Sequence, residues 1–200
     1  MEDMLKETRW LYNNLLEKHQ KYVVDEVVSR MNNDVHKDIL DKFWRIDEEI
    51  GGIGGYNMPR NPVMNPFPGG DKRSLYRPLQ YAACELERNL GYGSRYVIQF
   101  SGMHLEAAAR TYIASQRRIK FLPNFNSTLG KLVHEIDRKK TFDVTTIQSL
   151  FQFIKLFNLS KHEVNQNESR MRLFSEADAM IAYLSSRKLG MILLLESIEA

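Results

Sequence analysis

The sequence predicts an all-α protein, a helical bundle of about seven helices interrupted by one long Gly/Pro-rich loop. Two observations carry this: apolar residues recur at three- and four-residue steps through most of the 200 residues, and no segment shows the sustained alternation of a strand. A third supports it, since the helix-breaking residues are concentrated in one stretch. With 43% hydrophobic and 26% charged residues, the composition is that of an ordinary globular chain, long enough to bury roughly 70% of its unfolded surface. A single all-α domain over residues 1–200 is expected, with an N-terminal helical hairpin at 1–50, the loop at 51–76 and a helical bundle at 77–200.

From about Met4 to Arg30, Leu5, Leu11, Tyr12, Leu15, Leu16, Tyr22, Val23 and Val27 keep helical spacing without Pro or Gly, which predicts one long amphipathic helix. After Met31-Asn32-Asn33, Asp34 is placed to cap a second helix whose stripe is Val35, Ile39, Phe43, Ile46 and Ile50. Trp10 and Trp44 are expected to supply buried area to this hairpin. Residues 51–76 hold six of the eleven Gly and four of the six Pro, so no regular element is expected to run through them. Their Tyr56, Met58, Val63, Met64 and Phe67 argue against a solvated linker and for a segment lying against the body or a partner. The GGIGG run follows a helix and lacks the Lys-Ser/Thr ending of a phosphate-binding loop.

Pro78 suits the first turn of a third helix carrying Leu79, Ala82, Ala83, Leu86 and Leu90, with Gly91 as its left-handed cap. Ser94 is placed to cap a fourth, whose buried side is Val97, Phe100, Leu105, Ala108, Ala109 and Tyr112. His104, within it, has no metal-ligand partner at helical spacing and is read as a hydrogen-bonded core residue. A shorter helix runs from Ser127 to about Lys139 with Leu129, Leu132, Val133 and Ile136 inward, and Asp143 caps the next. On that helix Ile147, Phe151, Ile154, Asn158 and His162 fall within about 80° of one another at about 100° per residue, an apolar stripe ending in two polar side chains. EVNQNESR is polar and irregular. The last helix opens on the capping box Ser175-Glu176-Ala177-Asp178, with Phe174 as a hydrophobic staple and a stripe of Ala177, Ile181, Leu184, Lys188, Met191 and Leu195.

The motifs of common enzymes are missing: there is no HExxH, no Cys/His ligand cluster and no GxSxG, and the five His are scattered at 19, 36, 104, 134 and 162. No metal or cofactor is expected. Cys84, the single cysteine, excludes an internal disulfide and is read as a structural thiol in a reducing compartment. The N-terminal MEDMLKETRW lacks the basic and apolar regions of a signal peptide and no run approaches 18 apolar residues, so a cytoplasmic chain without a membrane segment is expected. Net charge is +3 but uneven, with 8 basic and 12 acidic residues in 1–50 against 8 basic and 2 acidic in 110–140. The second region could attract RNA or an acidic partner. Its Arg138, Lys139 and Lys140 also have a structural reason, because cations at a helix C-terminus are favoured by roughly 0.3–1 kcal/mol each.

From about Tyr96 onward the chain resembles the HEPN family of helical domains. Four segments carry the resemblance: SGMHLEAAARTYI, STLGKLVHEI, FNLSKH and FSEADAMIAYLSSRKLGMILL. It implies a compact helical bundle, often dimeric, in which an Arg-Asn-x-x-x-His motif serves metal-independent RNA cleavage, an activity that many members have lost. Asn158 and His162 match the motif's Asn and His, whereas Phe157 stands at its Arg position and supplies neither charge nor donors for a scissile phosphate. Lys155 and Lys161 are poor substitutes for a planar fork. The spacing from Arg30 to His36 also fits, but about one such pair arises by chance in a chain of this composition. Asn158 and His162 have an architectural alternative too, buried and bonded so as to close a helix end.

The resulting expectation is a noncatalytic HEPN-like interaction or RNA-associated module, with a homodimer or protein partner and no membrane association. RNA contact is assigned to Arg117, Arg118, Lys139, Lys140 and Lys161. The alternatives are a metal-independent endoribonuclease of toxin or defence type using His162 and Asn158, and a helical protein-binding partner using loop 51–76.

Overall fold

The computed structural model describes residues 4–30, 37–52, 73–88, 90–120, 122, 128–162, 164–165, 170–171 and 174–199. The fold is all-α. Among the described residues eight helices follow in order: α1 (Lys6–Asn14), α2 (Lys18–Arg30), α3 (Lys37–Gly52), α4 (Arg73–Arg88), α5 (Leu90–Gln116), α6 (Leu129–Lys139), α7 (Val144–Lys161) and α8 (Glu176–Glu199). Between α7 and α8, β1 (Val164–Asn165) pairs antiparallel with β2 (Arg170–Met171), Val164 opposite Met171. Two residues per strand are too few to leave an alternation signal, which is why no strand was expected there. The Asp34 cap, residues 53–72 of the long loop and Ser127 lie outside the described residues.

The centre of the bundle is α8 packed along α5, with α1, α2, α3, α4 and α7 also against α8. Every residue from Ala177 to Arg187 is buried, so α8 is covered all round and the single stripe read from its sequence was too narrow. Small residues make this possible: Ala107, Ala108 and Ala109 on α5, and Ala179, Ala182, Ser185 and Ser186 on α8, are all buried. The capping box is present. The Ser175 amide donates to Asp178 Oδ2 at 2.9 Å, and the Asp178 amide donates to Ser175 Oγ at 3.2 Å. Asp178 Oδ1 also accepts from the Leu5 amide, tying the start of α1 to the start of α8. Trp44 packs on Phe43 and Tyr183, whereas Trp10 is only half-buried.

Three helix boundaries differ from expectation. The long N-terminal helix is broken at 15–17 without any Gly or Pro, because side chains satisfy the backbone groups that the break frees. Gln20 Oε1 accepts from the Glu17 amide at 3.0 Å, and Lys21 Nζ donates to the Asn13 carbonyl at 2.9 Å. Pro78 lies in the second turn of α4, which begins at Arg73, inside the stretch read as loop. It has no N–H to offer the Ser74 carbonyl, and the next carbonyl, that of Leu75, accepts from His104 Nδ1 of α5 at 2.7 Å. Gly91 and Ser94, expected as caps, lie within α5.

Candidate functional site

The stretch in which Asn158 and His162 were singled out is α7, whose first turn is capped as expected: Asp143 Oδ1 accepts from the Thr146 amide at 2.9 Å. Hydrogen bonds from Thr146 hold the Asp143 carboxyl below its ordinary pKa. The face that this helix buries is not the one read from its sequence. Thr146, Ser149, Leu150, Phe153, Leu156, Phe157 and Ser160 are buried, while Ile147, Phe151 and Ile154 are half-buried and Asn158 and His162 are exposed. At about 100° per residue the buried set is centred about 140° away from the expected stripe. α7 is apolar nearly all round, and it packs against α1, α5, α6 and α8, so periodicity alone could not choose its inner side.

Phe157, the residue compared with the motif's Arg, belongs to the buried side of α7. It is 5% exposed, and its ring lies on the backbone of Gly102 in α5, where any Cβ would overlap the ring atoms. Lys161 Nζ lies 3.7 Å from the ring centroid, a cation over an aromatic face rather than a free phosphate donor. The end of α7 is closed from α5: Arg95 Nε and Gln99 Nε2 each donate to the Ser160 carbonyl at 2.6 Å. This corrects the architectural reading of Asn158 and His162, since neither is buried and the helix end is closed by other side chains. His162 is the C-terminal cap residue in extended conformation, its amide donating to the Leu159 carbonyl at 3.3 Å. Asn158 and His162 are both exposed, four residues apart at the end of α7.

The basic residues assigned to RNA contact separate into two groups. Arg117 forks onto Glu135 at 2.7 and 2.8 Å, and Lys140 pairs with Asp137 at 3.0 Å. Arg118 and Lys139 are exposed and, among the described residues, in no ion pair. Lys140 is the left-handed cap of α6, with φ 56°. Its position at the helix C-terminus has the structural reason already given.

No family model, curated protein or solved structure matches this chain.

Two features were not found from the sequence. The first is buried: Arg187 Nε donates to Asp47 Oδ1 at 2.6 Å across 140 residues of chain, with both side chains inside the bundle. The stripe read on α8 passed through Lys188, which instead reaches out to Glu17 at 2.7 Å. Beside this pair His104 is fully buried, and a Cβ at Gly190 would stand 2.5 Å from its Nε2. Burial, and then the charge of Arg187, lower the His104 pKa to about 3 against the opposing Leu75 hydrogen bond. It is neutral, with its proton on Nδ1, and the core role expected for it is the one it has. The second feature is a groove of about 560 Å³ between α4 and α5, lined by Arg73, Arg77, Arg110, Tyr81, Phe100 and Glu106 among others. Arg73 and Arg77 share a face at i, i+4, a signal lost when Arg73 was assigned to the loop. Among the described residues no three His, Cys, Asp or Glu side chains gather as a metal site, and no helix is long and apolar enough to cross a membrane.

Proposed function

We propose that this chain is a noncatalytic HEPN-like helical module that associates with RNA or a protein partner. One observation carries the reading: Phe157, at the motif's Arg position, is seated on Gly102, while Asn158 and His162 face solvent. Phosphodiester cleavage needs donors aimed at the developing charge and a base held within reach of the attacking hydroxyl. Here Arg95, which reaches the helix end, donates to the Ser160 carbonyl. RNA association draws on Arg118 and Lys139, which are exposed and in no ion pair among the described residues. A homodimer belongs to the same proposal through the family resemblance.

Incubation of the purified chain with structured RNA in EDTA is expected to leave the RNA intact. Reproducible cleavage that His162→Ala abolishes would replace this reading with the ribonuclease. For the RNA-associated part, binding is expected to weaken steeply with salt and on replacing Arg118 and Lys139 together by Gln. Replacing Arg117 and Lys140, already paired, is expected to matter less. Salt-independent binding overturns the RNA assignment.

A further inference from the structure

The α4–α5 groove combines two features that the rest of the described surface does not explain. One wall is cationic. Arg73 and Arg77 come from successive turns of α4, and Arg110 comes from α5. The acid beside them is already committed: Glu106 Oε1 takes Arg110, and its Oε2 accepts from the Leu129 amide at the start of α6 at 2.9 Å. Glu106 is therefore taken up by Arg110 and the Leu129 amide, and Arg73 and Arg77 add two further positive charges to this wall. Arg77 Nε is buried and has no hydrogen-bond partner among the described residues.

The other wall is aromatic. Tyr81 and Phe100 sit with ring centroids 5.4 Å apart and planes tilted by 50°, and Tyr81 is 43% exposed. The Arg77 guanidinium carbon lies 6.0 Å from the Tyr81 centroid, so cation and ring are presented side by side. A ligand matching both walls needs a flat apolar ring attached at short range to an anion. The volume is that of a small-ligand site, not of an extended track for a strand.

From this geometry we infer that the groove binds a free mononucleotide, with the base against Tyr81 and Phe100 and the phosphate on Arg73 and Arg77. Arginine forks suit phosphate oxygens, and every nucleobase offers a face to an aromatic side chain. None of these residues is one of the motif's three polar positions, so the inference goes beyond the proposed function and does not depend on it.

The test is calorimetric titration of the whole chain with AMP, with adenosine, inorganic phosphate and a single-stranded decanucleotide RNA as comparators. AMP is expected to saturate one site, with adenosine and phosphate each at least tenfold weaker. Arg77→Met is expected to weaken AMP at least tenfold. Because Arg77 is partly buried, the exposed Arg73→Met is run beside it and is expected to weaken AMP severalfold, with Tyr81→Ala reducing adenosine and AMP alike. Absence of saturable AMP binding, or AMP affinity unchanged in Arg73→Met and Tyr81→Ala, overturns the inference. Groove-dependent binding of the decanucleotide without AMP binding overturns it too, in favour of a strand. RNA cleavage through His162 would refute the noncatalytic reading and leave the AMP result untouched, so the two failures are distinguishable.

Discussion

His104 on α5 and His162 at the end of α7 both follow apolar residues at helical spacing, yet the first is fully buried and the second exposed. The difference lies in what the opposing helix offers. Opposite His104 stand the carbonyl of Leu75, close to the point where Pro78 interrupts the amide donors of α4, and Gly190, whose missing side chain leaves room for the ring. Beside His162 the corresponding place is taken: Phe157 occupies the notch at Gly102, and Arg95 and Gln99 occupy the helix-end carbonyl. A glycine on a neighbouring helix thus admits a polar ring in one case and an apolar ring in the other. The polar residue becomes core where a partner carbonyl is waiting and surface where it is not.

The strongest way to break this comparison is to force the motif's arginine into α7. Phe157→Arg is expected to lower unfolding free energy by at least about 3 kcal/mol, the low end for losing a buried aromatic, and to yield no RNA cleavage. Urea unfolding measures the first and a cleavage assay the second. A stable variant that cuts RNA would show that the Gly102 notch does not exclude arginine.

A smaller effect, of opposite character, belongs to His104. In the unfolded chain an ordinary histidine takes up its proton as pH falls through about 6.5, while the folded His104 stays neutral down to about 3 because of burial and the nearby Arg187 charge. Its folded pKa is depressed. The unfolded state therefore binds more protons in that window, and stability is retained above about pH 6.5 and declines as pH falls toward 3, by up to about 1.4 kcal/mol per pH unit. Unfolding free energies measured from pH 7 to pH 4 are expected to fall less steeply in His104→Gln than in the parent. Equal slopes in the two would remove His104 from the pH response.

The all-α class, the Asp143 cap and the Ser175/Asp178 box were legible because each is a local pattern with its own chemistry. So was the core role of His104, since nothing within helical reach could make it a ligand. What was not legible depends on partners distant in the chain. The inner side of α7 is selected by Gly102 and by four surrounding helices, and its apolar circumference conceals the choice. The break at 15–17 is made by Gln20 and Lys21 side chains instead of a Gly or Pro. Arg187 inside α8 is met by Asp47 from α3, and a charged residue within a buried helix has no sequence signature of its partner. The groove arginines were hidden by a boundary error of a single turn at Arg73.

The smallest expected effect is the most discriminating for α7. His162→Ala is expected to change stability by less than about 0.5 kcal/mol, as for an exposed surface side chain. The reason is specific: the amide of His162 makes the bond that ends the helix, and alanine keeps that amide. Arg95→Ala, by contrast, removes one of the two donors from the Ser160 carbonyl and is expected to cost about 1 kcal/mol, a typical net hydrogen-bond contribution. Thermal or urea unfolding of the two variants side by side would reveal the ranking. If His162→Ala proved the more damaging, the end of α7 would be held by the motif residue after all, and the two histidines would be alike in role despite their difference in exposure.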